Sequence, residues 1–383
     1  MRIAVDARTI FSPSPRGIGK TLLQLYRSAS TRQPNWEFIL YHRDENPDII
    51  PKLNPNMIPK SIQIPGDRFD AWHQIRLPFA AWSDKADLLH CPANTCPKIK
   101  SLPTAVTIHD LIPHDRPHTF PPALVKRFRS SIQRARTHAD AIITPSQYTK
   151  NRLICDFDIQ PHHIFVNPWA PSPDITFWDP QQRSQILKSL QLDHKPYVLH
   201  FGAKDERKNT DNLLNAWAMS DRQLHARFDL CIIGVDEQTQ AQFIEKTKRL
   251  GIANSVYIQS YLPQNFLSAI LSGASLLVYP SHSEGFGLPI LDGWATRTPV
   301  ITSRLTSLPE IGKDAVLYVD PQDPCSITRA IRRALTQPLL RQELIQAGLK
   351  HLSATTWSHA GERLISIFQH ITDKQMPTHR RAA

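Results

Sequence analysis

The segment that carries the most specific chemistry in this 383-residue chain is PSHSEGFGLPILDGWATRTPVITS, residues 280–303. A strand-like run, SLLVYP, leads into the loop SEGFGLP, and a helix is predicted to follow. Glu284 and Asp292 are eight residues apart across this glycine-rich turn, so both can face one ligand. Carboxylates suit a hydroxyl-rich ligand such as a sugar or a ribose, while backbone N–H groups bind phosphate or carbonyl oxygens. The backbone amides expected to point the same way belong to Gly285, Phe286, Gly287 and Leu288.

A second candidate lies in HFGAKDERKNTDNLL, residues 200–214. The loop brings Lys204, Arg207 and Lys208 together just before a helix that Asn209 or Thr210 could cap. Cations beside a helix N-terminus make a strong site for a diphosphate. The alternative interpretation is a solvated basic loop.

The segment SPRGIGKT, residues 14–21, places two glycines in a loop before a predicted helix. Ser14 and Pro15 break the pattern of the phosphate loop of nucleotide triphosphatases, and Leu22 replaces the third glycine of a dinucleotide site. We therefore expect only that Gly17 and Gly19 let backbone amides approach an anion closely, with an ordinary loop as the alternative.

A histidine follows the apolar strand predicted in VTIHDLIPHD, residues 106–115. From there the imidazole of His109 could donate a hydrogen bond or shuttle a proton near neutral pH. Taken alone, a structural histidine is the better interpretation.

Apolar runs of about five residues alternate with helix-period segments along the chain, which predicts parallel sheets covered on both faces. The proline-rich stretch 168–196 is the best linker candidate. The sequence therefore predicts an α/β fold of two doubly wound domains that meet at a cleft, with a terminal helix and a frayed tail. The expected bounds are 1–170, 171–355 and 356–383. Ligands of such sheets bind at the carboxyl ends of the strands, where the segments above lie.

The composition favours a globular protein of the cytoplasm, with 41% hydrophobic and 21% charged residues. No apolar run reaches the length of a membrane span, and the charged start MRIAVDARTIF argues against a signal peptide. Five cysteines without a CxxC pair argue against a disulfide framework and a zinc site. No cluster of His, Asp or Glu has ligand spacing, so no metal is expected.

An excess of Lys and Arg leaves a net charge of +11, which suits anionic partners. No nucleic-acid-binding module is recognisable, so nucleic acid is not expected. Residues 124–139 predict a helix with an apolar stripe of Leu124, Phe128, Ile132, Ala135 and Ala139. Its other faces carry Lys126, Arg127, Arg129, Arg134 and Arg136. One hypothesis is peripheral attachment of these faces to the anionic inner surface of the cell membrane; the alternative is an ordinary surface helix.

Five motifs in order, HDLIP, TPSQYTK, FGAKDERKN, SEGFGLPILD and TPVITS, resemble those of the GT4 glycosyltransferases of the GT-B fold. Within that family the chain is similar to bacterial mannosyl- and rhamnosyltransferases of polysaccharide and lipopolysaccharide synthesis. The likeness runs from DART at residue 6 to the terminal helix near Trp357.

The resemblance implies two Rossmann-like domains, of which the N-terminal one binds the acceptor and the C-terminal one the nucleotide sugar. It also implies retention of the anomeric configuration, no bound metal, no cofactor beyond the donor substrate, and a C-terminal helix packed back on the N-terminal domain. The implied roles are neutralisation of the diphosphate by Arg207 and Lys208, sugar contact by Glu284, ribose contact by Asp292, an active-site histidine at His109, and a glycine loop of Gly17 and Gly19 facing the diphosphate.

The chain departs from the family pattern at three places. Asp292 is one methylene shorter than the usual Glu, Ala203 stands where some members have Arg, and Arg297 stands where Gly is common. We expect transfer of a hexosyl group, with GDP-mannose favoured over UDP-glucose, to a saccharide or a lipid-linked saccharide. The alternatives are a catalytically silent sugar-binding or scaffold protein and a phosphate-loop NTPase.

Overall fold

The computed structural model describes residues 1–12, 17–43, 51–64 and 71–375, and the chain divides into two compact units. The first unit comprises Met1–Pro173 and Thr356–Ala383, and the second comprises Asp174–Thr355. The divisions fall within three residues of the expected positions at 170 and 355. The tail predicted to fray begins inside the last helix, and its remainder, 376–383, lies outside the described residues.

The first unit is built on a parallel sheet whose described strands follow the order β3-β2-β1-β4-β5-β6-β7. The strands are β1 (Arg2–Asp6), β2 (Glu37–His42), β3 (Met57–Ser61), β4 (Leu88–Cys91), β5 (Thr104–Thr107), β6 (Ala141–Thr144) and β7 (Ile164–Val166). The four central strands β1, β4, β5 and β6 are almost wholly buried, because helices cover both faces. This burial explains the unbroken apolar runs in the sequence.

The helices of this unit within residues 17–157 are α1 (Gly17–Arg32), α2 (Leu77–Ser83), α3 (Ile112–Asp115), α4 (Pro122–His138) and α5 (Gln147–Phe157). A π-helical turn, Trp72–Arg76, runs directly into α2, and 3₁₀ turns span Pro117–Thr119 and Pro161–His163. The expected loop around the two glycines is wrong in part, because α1 already begins at Gly17 and contains Gly19. Ser14 and Pro15 lie outside the described residues.

The second unit carries a parallel sheet in the order β10-β9-β8-β11-β12-β13. The strands are β8 (Tyr197–Phe201), β9 (Asp229–Ile233), β10 (Val256–Gln259), β11 (Leu276–Tyr279), β12 (Val300–Ser303) and β13 (Leu317–Val319). The helices are α6 (Pro180–Ser189), α7 (Thr210–Ala218), α8 (Arg222–Arg227), α9 (Glu237–Arg249), α10 (Gln264–Gly273), α11 (Leu288–Ala295), α12 (Leu308–Gly312), α13 (Pro324–Thr336) and α14 (Pro338–Ser353), with 3₁₀ turns at Glu206–Lys208 and Ala253–Ser255.

The last helix, α15 (Trp357–Gln375), belongs to the first unit. It packs on α1 and buries Leu364, Phe368 and Ile371 in that unit's core. Trp357, the first residue of this helix, forms two hydrogen bonds to distant parts of the chain. Ser28 Oγ donates to its carbonyl at 2.7 Å, and its indole N–H donates to Pro171 O at 2.9 Å. The expected return of the C-terminal helix to the N-terminal domain is confirmed.

Each sheet has one point where the strand order reverses. In the second unit that point lies between β8 and β11, which are neighbours in the sheet although two other strands, β9 and β10, separate them in sequence. Crevices at such reversals, beyond the carboxyl ends of the strands, are the usual ligand sites of open α/β sheets. The loops that follow β8 and β11 are the two that the sequence singles out, residues 202–209 and 280–287.

Candidate active site

The loop after β8 is held in one conformation by its own side chains. Asp205 accepts from the backbone N–H of Arg207 at 3.0 Å and pairs with the guanidinium Nε of the same residue at 2.6 Å. The carbonyl of Arg207 in turn accepts from Ser281 Oγ at 2.9 Å and from His282 N at 2.8 Å. The loops after β8 and β11 are therefore joined through Arg207.

Asn209 joins the loop after β8 to the loops after β11 and β13. It has a left-handed backbone, with φ of 63°, and its side-chain amide donates to Pro280 O at 3.1 Å and Pro321 O at 2.7 Å. Asn209 stands at the N-cap position of α7, but its side chain makes no capping bond there. The predicted capping role is therefore wrong, because the amide bridges strand-end carbonyls instead.

Glu284 collects three donors on one carboxylate oxygen. Oε1 accepts from Arg207 Nη1 at 2.5 Å, from Lys208 Nζ at 2.9 Å and from Ser281 Oγ at 2.8 Å. All three charged side chains are largely buried. The structure thus brings together three of the four residues predicted to be catalytic, in a site that sequence spacing alone does not reveal.

The charges of this cluster stabilise one another. Burial alone would raise the pKa of Glu284, but Lys208 and Arg207 outweigh it and lower that pKa to about 2. Burial also acts on Arg207, yet Glu284 together with Asp205 raises the pKa of the guanidinium. Burial lowers the pKa of the Lys208 ammonium, and the charge of Glu284 opposes that shift. The cluster therefore sets Arg207 and Lys208 against two carboxylates, Glu284 and Asp205.

Tyr279 was not singled out from the sequence, although it ends β11 beside the cluster. Its hydroxyl accepts from Lys208 Nζ at 2.9 Å, and the ammonium lies 4.7 Å from the centre of its ring. The interpretation of this region as a solvated basic loop does not hold for Arg207 and Lys208, while Lys204 is exposed. The signal for Tyr279 was its place as the last residue of a strand that leads into a glycine-rich loop.

The loop before α11 is braced by two further residues that sequence reasoning missed. Thr306 Oγ1 accepts from the N–H of Glu284 at 3.1 Å, and Ser307 Oγ donates to the carbonyls of Glu284 at 2.9 Å and Phe286 at 2.7 Å. Gly287 has φ of +132°, where side chains are strained, and stands at the N-cap of α11. The glycine is therefore required by the backbone where the loop turns into the helix.

The remaining predicted residues of the second unit occupy the start of α11. Gly285 and Phe286 are buried in the loop, and Leu288 is the first residue of the helix. Asp292 lies in the second turn, almost fully buried, and its carbonyl accepts from Thr296 Oγ1 at 2.8 Å.

His109 lies in the first unit, just beyond β5, and is buried. Its Nε2 donates to the carbonyl of Pro92 at 2.6 Å, and its ring lies 5.0 Å from that of Trp169. Burial lowers the pKa of His109 to about 4, although the bond to Pro92 opposes the shift. The imidazole is therefore neutral at pH 7 and donates a hydrogen bond to the backbone, which fits the structural alternative, while the proton shuttle stays a prediction. Nδ1 carries the lone pair and has no hydrogen-bond partner among the residues described.

Gly17 and Gly19 form the first turn of α1 in the same unit. Gly17 is exposed, and a Cβ added to it would meet no atom within 4 Å, whereas Gly19 is buried. The first amides of a helix have no intrahelical acceptor and can bind an anion. The local geometry thus keeps open the role implied for Gly17.

In the described part of the chain, one group of side chains has its possible metal-ligand atoms within 4.8 Å of one another: His114, Asp115 and Asp156. Arg152 already bonds both carboxylates, to Asp115 at 2.6 Å and to Asp156 at 2.7 Å. A guanidinium thus occupies the position that a cation would take, and we assign no metal to this group.

The Arg297 departure has a structural account. Its φ of 57° is left-handed, which explains why glycine suits this position, and its guanidinium lies 4.4 Å from the ring centre of Phe177. A cation–π contact thus compensates for part of the backbone strain.

Comparisons with known proteins identify the family of this chain. The family model "Glycosyl transferases group 1" matches residues 182–351, and "Glycosyltransferase Family 4" matches residues 16–170. O-antigen chain mannosyltransferase B of Escherichia coli is 25% identical over 381 residues, covering 94% of this chain and 99% of that protein. D-inositol 3-phosphate glycosyltransferase of Thermobifida fusca is 28% identical over 241 residues, 60% of this chain and 55% of that protein.

A solved structure of WaaG, a glycosyltransferase involved in lipopolysaccharide biosynthesis, aligns with a TM-score of 0.73. It is 16% identical and covers 96% of this chain and 99% of its own, so it shows the fold. The two family models lie one in each unit and together match most of the chain. This chain therefore belongs to the family 4 glycosyltransferases and has their GT-B fold.

Proposed function

We propose that this glycosyltransferase moves a mannosyl group from GDP-mannose to a saccharide or lipid-linked saccharide acceptor, with retention of configuration and without a metal ion. The similarity to an O-antigen mannosyltransferase over nearly the whole length of both chains supports the sugar and the class of acceptor. We also propose that the reaction takes place in the cytoplasm, at the inner face of the cell membrane.

The observation that carries the proposal is the pair of cations fixed at the end of β8. Breaking a glycosyl–phosphate bond leaves negative charge on the departing diphosphate, and preorganised positive charge stabilises it. Asp205 and Glu284 hold the guanidinium of Arg207, and Glu284 and Tyr279 hold the ammonium of Lys208. Two fixed cations supply the charge that a metal ion would otherwise provide.

Glu284 sits between those cations and the loop that leads to α11. Its Oε1 accepts hydrogen bonds from three donors. A diphosphate bound by Arg207 and Lys208 would therefore compete with Glu284 for these two cations. In the proposed reaction Glu284 orients the sugar and sets the positions of the cations. Its low pKa keeps it ionised at neutral pH, so it does not act as a general acid.

The test is transfer from GDP-mannose by Lys208→Ala, with Lys204→Ala as the matched control from the same loop. Loss of a buried phosphate partner should slow transfer by roughly 30- to 1,000-fold, equivalent to about 2–4 kcal/mol. The exposed Lys204 should be replaceable within about twofold. Wild-type activity should persist in EDTA.

Three results would contradict parts of this proposal. Equal transfer rates for the two lysine variants, at matched stability, would show that Lys208 does not bind the diphosphate. Loss of activity in EDTA that Mg²⁺ restores would overturn the metal-free mechanism. Tighter competitive binding of UDP-glucose than of GDP-mannose would reverse the donor, while binding without any turnover would favour a silent sugar-binding protein.

A further inference from the structure

An apolar face of the first unit is exposed along α2 and the π-helical turn before it. Ile75, Phe79 and Trp82 are 58%, 53% and 59% exposed, at the spacing of one helix face. The rings of Phe79 and Trp82 lie 5.9 Å apart, centre to centre. Large apolar side chains are rarely left together in water without a function.

The exposed face is not needed to hold the helix in place, because the opposite face is already buried. Trp72, Leu77 and Ala81 lie in the core of the unit, and the Trp72 indole donates to Ile62 O at 2.7 Å. The buried face therefore holds the helix, while more than half of each of the three exposed side chains remains at the surface.

A neighbouring loop extends the apolar face. The N–H of Lys98 donates to Gln74 Oε1 at 2.6 Å, and Ser101 Oγ donates to Pro78 O at 3.0 Å. These bonds fix residues 98–101 along the helix, and Ile99, between them, is 49% exposed. The loop thus adds a fourth large apolar side chain beside the helix.

Basic side chains accompany this face. Arg76, Lys85 and Lys98 are exposed, and none forms an ion pair with a residue that the structure describes. The neighbouring carboxylate of Asp84 is already bonded by Lys60 and Tyr41. We call the seven residues the α2 patch: Ile75, Arg76, Phe79, Trp82, Lys85, Lys98 and Ile99. It combines apolar side chains with basic side chains that no carboxylate among the described residues pairs.

We propose that the α2 patch docks this protein on an anionic phospholipid surface. Aromatic and aliphatic side chains on one helix face enter the boundary between headgroups and acyl chains, while cations nearby bind anionic headgroups. The long stems of Arg and Lys allow their charges to stay at headgroup level while the apolar residues enter more deeply. Charge complementarity thus favours a lipid surface over a neutral apolar partner.

The helix that the sequence proposed for this role, α4, is less suited to it. Phe128, Ile132 and Ala135 are buried against the core, so α4 offers no comparable apolar face. Cations of α4 are also engaged, for example Arg134 with Cys96 O at 3.0 Å and Arg136 with Asp158 at 2.6 Å. The structure therefore moves the candidate membrane surface from α4 to the α2 patch.

The experiment is flotation of the full chain with vesicles of phosphatidylcholine alone or with phosphatidylglycerol. The wild type should float with the anionic vesicles, and Phe79→Ser/Trp82→Ser should lower its partition coefficient roughly tenfold or more. Arg76→Ser/Lys98→Ser should weaken binding and reduce its dependence on salt. Two pairs serve as controls and should bind within about twofold of wild type: Met219→Ser/Leu339→Ser, exposed apolar residues of the second unit, and Arg127→Ser/Arg129→Ser on α4.

Thermal unfolding of each variant separates loss of docking from loss of folding, and Ile75→Ser/Ile99→Ser provides a second apolar pair. Wild-type vesicle binding by both apolar pairs would overturn the proposal, as would no binding of the wild type to either vesicle. A larger loss of vesicle binding in Arg127→Ser/Arg129→Ser than in the α2 patch variants would show that α4 is the membrane surface and would overturn the proposal. Self-association that Phe79→Ser/Trp82→Ser abolishes, without vesicle binding, would make the α2 patch a protein interface and overturn lipid docking.

Discussion

At the scale of single residues, one carboxylate organises the site. Glu284 receives Arg207, Lys208 and Ser281 on the same oxygen, and its backbone is held by Thr306 and Ser307. Removing one partner from such a cluster leaves buried charges without compensation, which costs more than an exposed ion pair would. Glu284 therefore contributes to stability as well as to the proposed transfer.

Glu284→Gln should lower the free energy of unfolding at pH 7 by on the order of 3 kcal/mol, because the native pKa is about 2 against an ordinary value of 4.5. The pKa is lowered by folding, so the carboxylate stabilises the fold above pH 4.5, and this contribution disappears as the pH falls toward 2. Urea unfolding of both proteins from pH 7 to pH 3 measures the difference, which should shrink to less than half. A difference that stays constant over this range would contradict the assignment.

At the scale of elements, α1 and α11 each have a glycine at the N-terminus. In α1 the glycine is at the surface, while in front of α11 Gly287 is forced by its backbone and by Leu308, which a Cβ would approach to 3.2 Å. The same residue type thus serves two purposes. At Gly287 the backbone requires it, whereas at Gly17 nothing in the described structure does.

Gly17→Ala should therefore separate function from folding. Its methyl group meets no atom within 4 Å, and alanine is favoured over glycine in a helix by up to about 1 kcal/mol, so stability should hold or rise. If Gly17 faces the diphosphate as the family resemblance implies, the methyl group should raise the KM for the donor. Steady-state kinetics with a parallel urea titration provide the measurement. Unchanged KM would show that this glycine has no contact with the donor.

At the scale of the whole molecule, the C-terminal helix α15 packs into the core of the first unit. Helix α15 comes after the entire second unit in sequence, yet Phe368 is fully buried against α1 and the strands, 5.2 Å from the ring of His90. The described residues contain no helix that is long and apolar enough to cross a membrane. The apolar face of α15 is buried in the core of the first unit.

Phe368→Ala should destabilise the first unit by about 3–5 kcal/mol, because it leaves a cavity in a core that spans distant parts of the sequence. Leu339→Ala, at a position 74% exposed, is the control and should change stability by about 0.5 kcal/mol or less. Calorimetry with assignment of the transition to the first unit, for example by limited proteolysis, tests this. An effect confined to residues 174–355 would contradict the placement of α15.

Much of this protein follows from sequence alone. Buried parallel strands need unbroken apolar runs, and connections between them need helices, so the alternation of the two fixes the fold class of both units. Motifs such as SEGFGLP and DERKN stand at strand ends, where the chemistry of such folds occurs, and five of them in order identify the family. Local spacing is sufficient here because each motif is a short continuous segment of the chain.

Other features depend on the tertiary structure, because they join residues far apart in sequence. The convergence of Arg207 and Lys208 on Glu284 requires β8 and β11 to be neighbours, an adjacency that follows from strand order and not from local pattern. The neutral state of His109 depends on burial, and the exposure of Phe79 and Trp82 depends on which helix face the core uses. Spacing can predict that a helix has an apolar face, but only packing determines whether that face is buried or left at the surface.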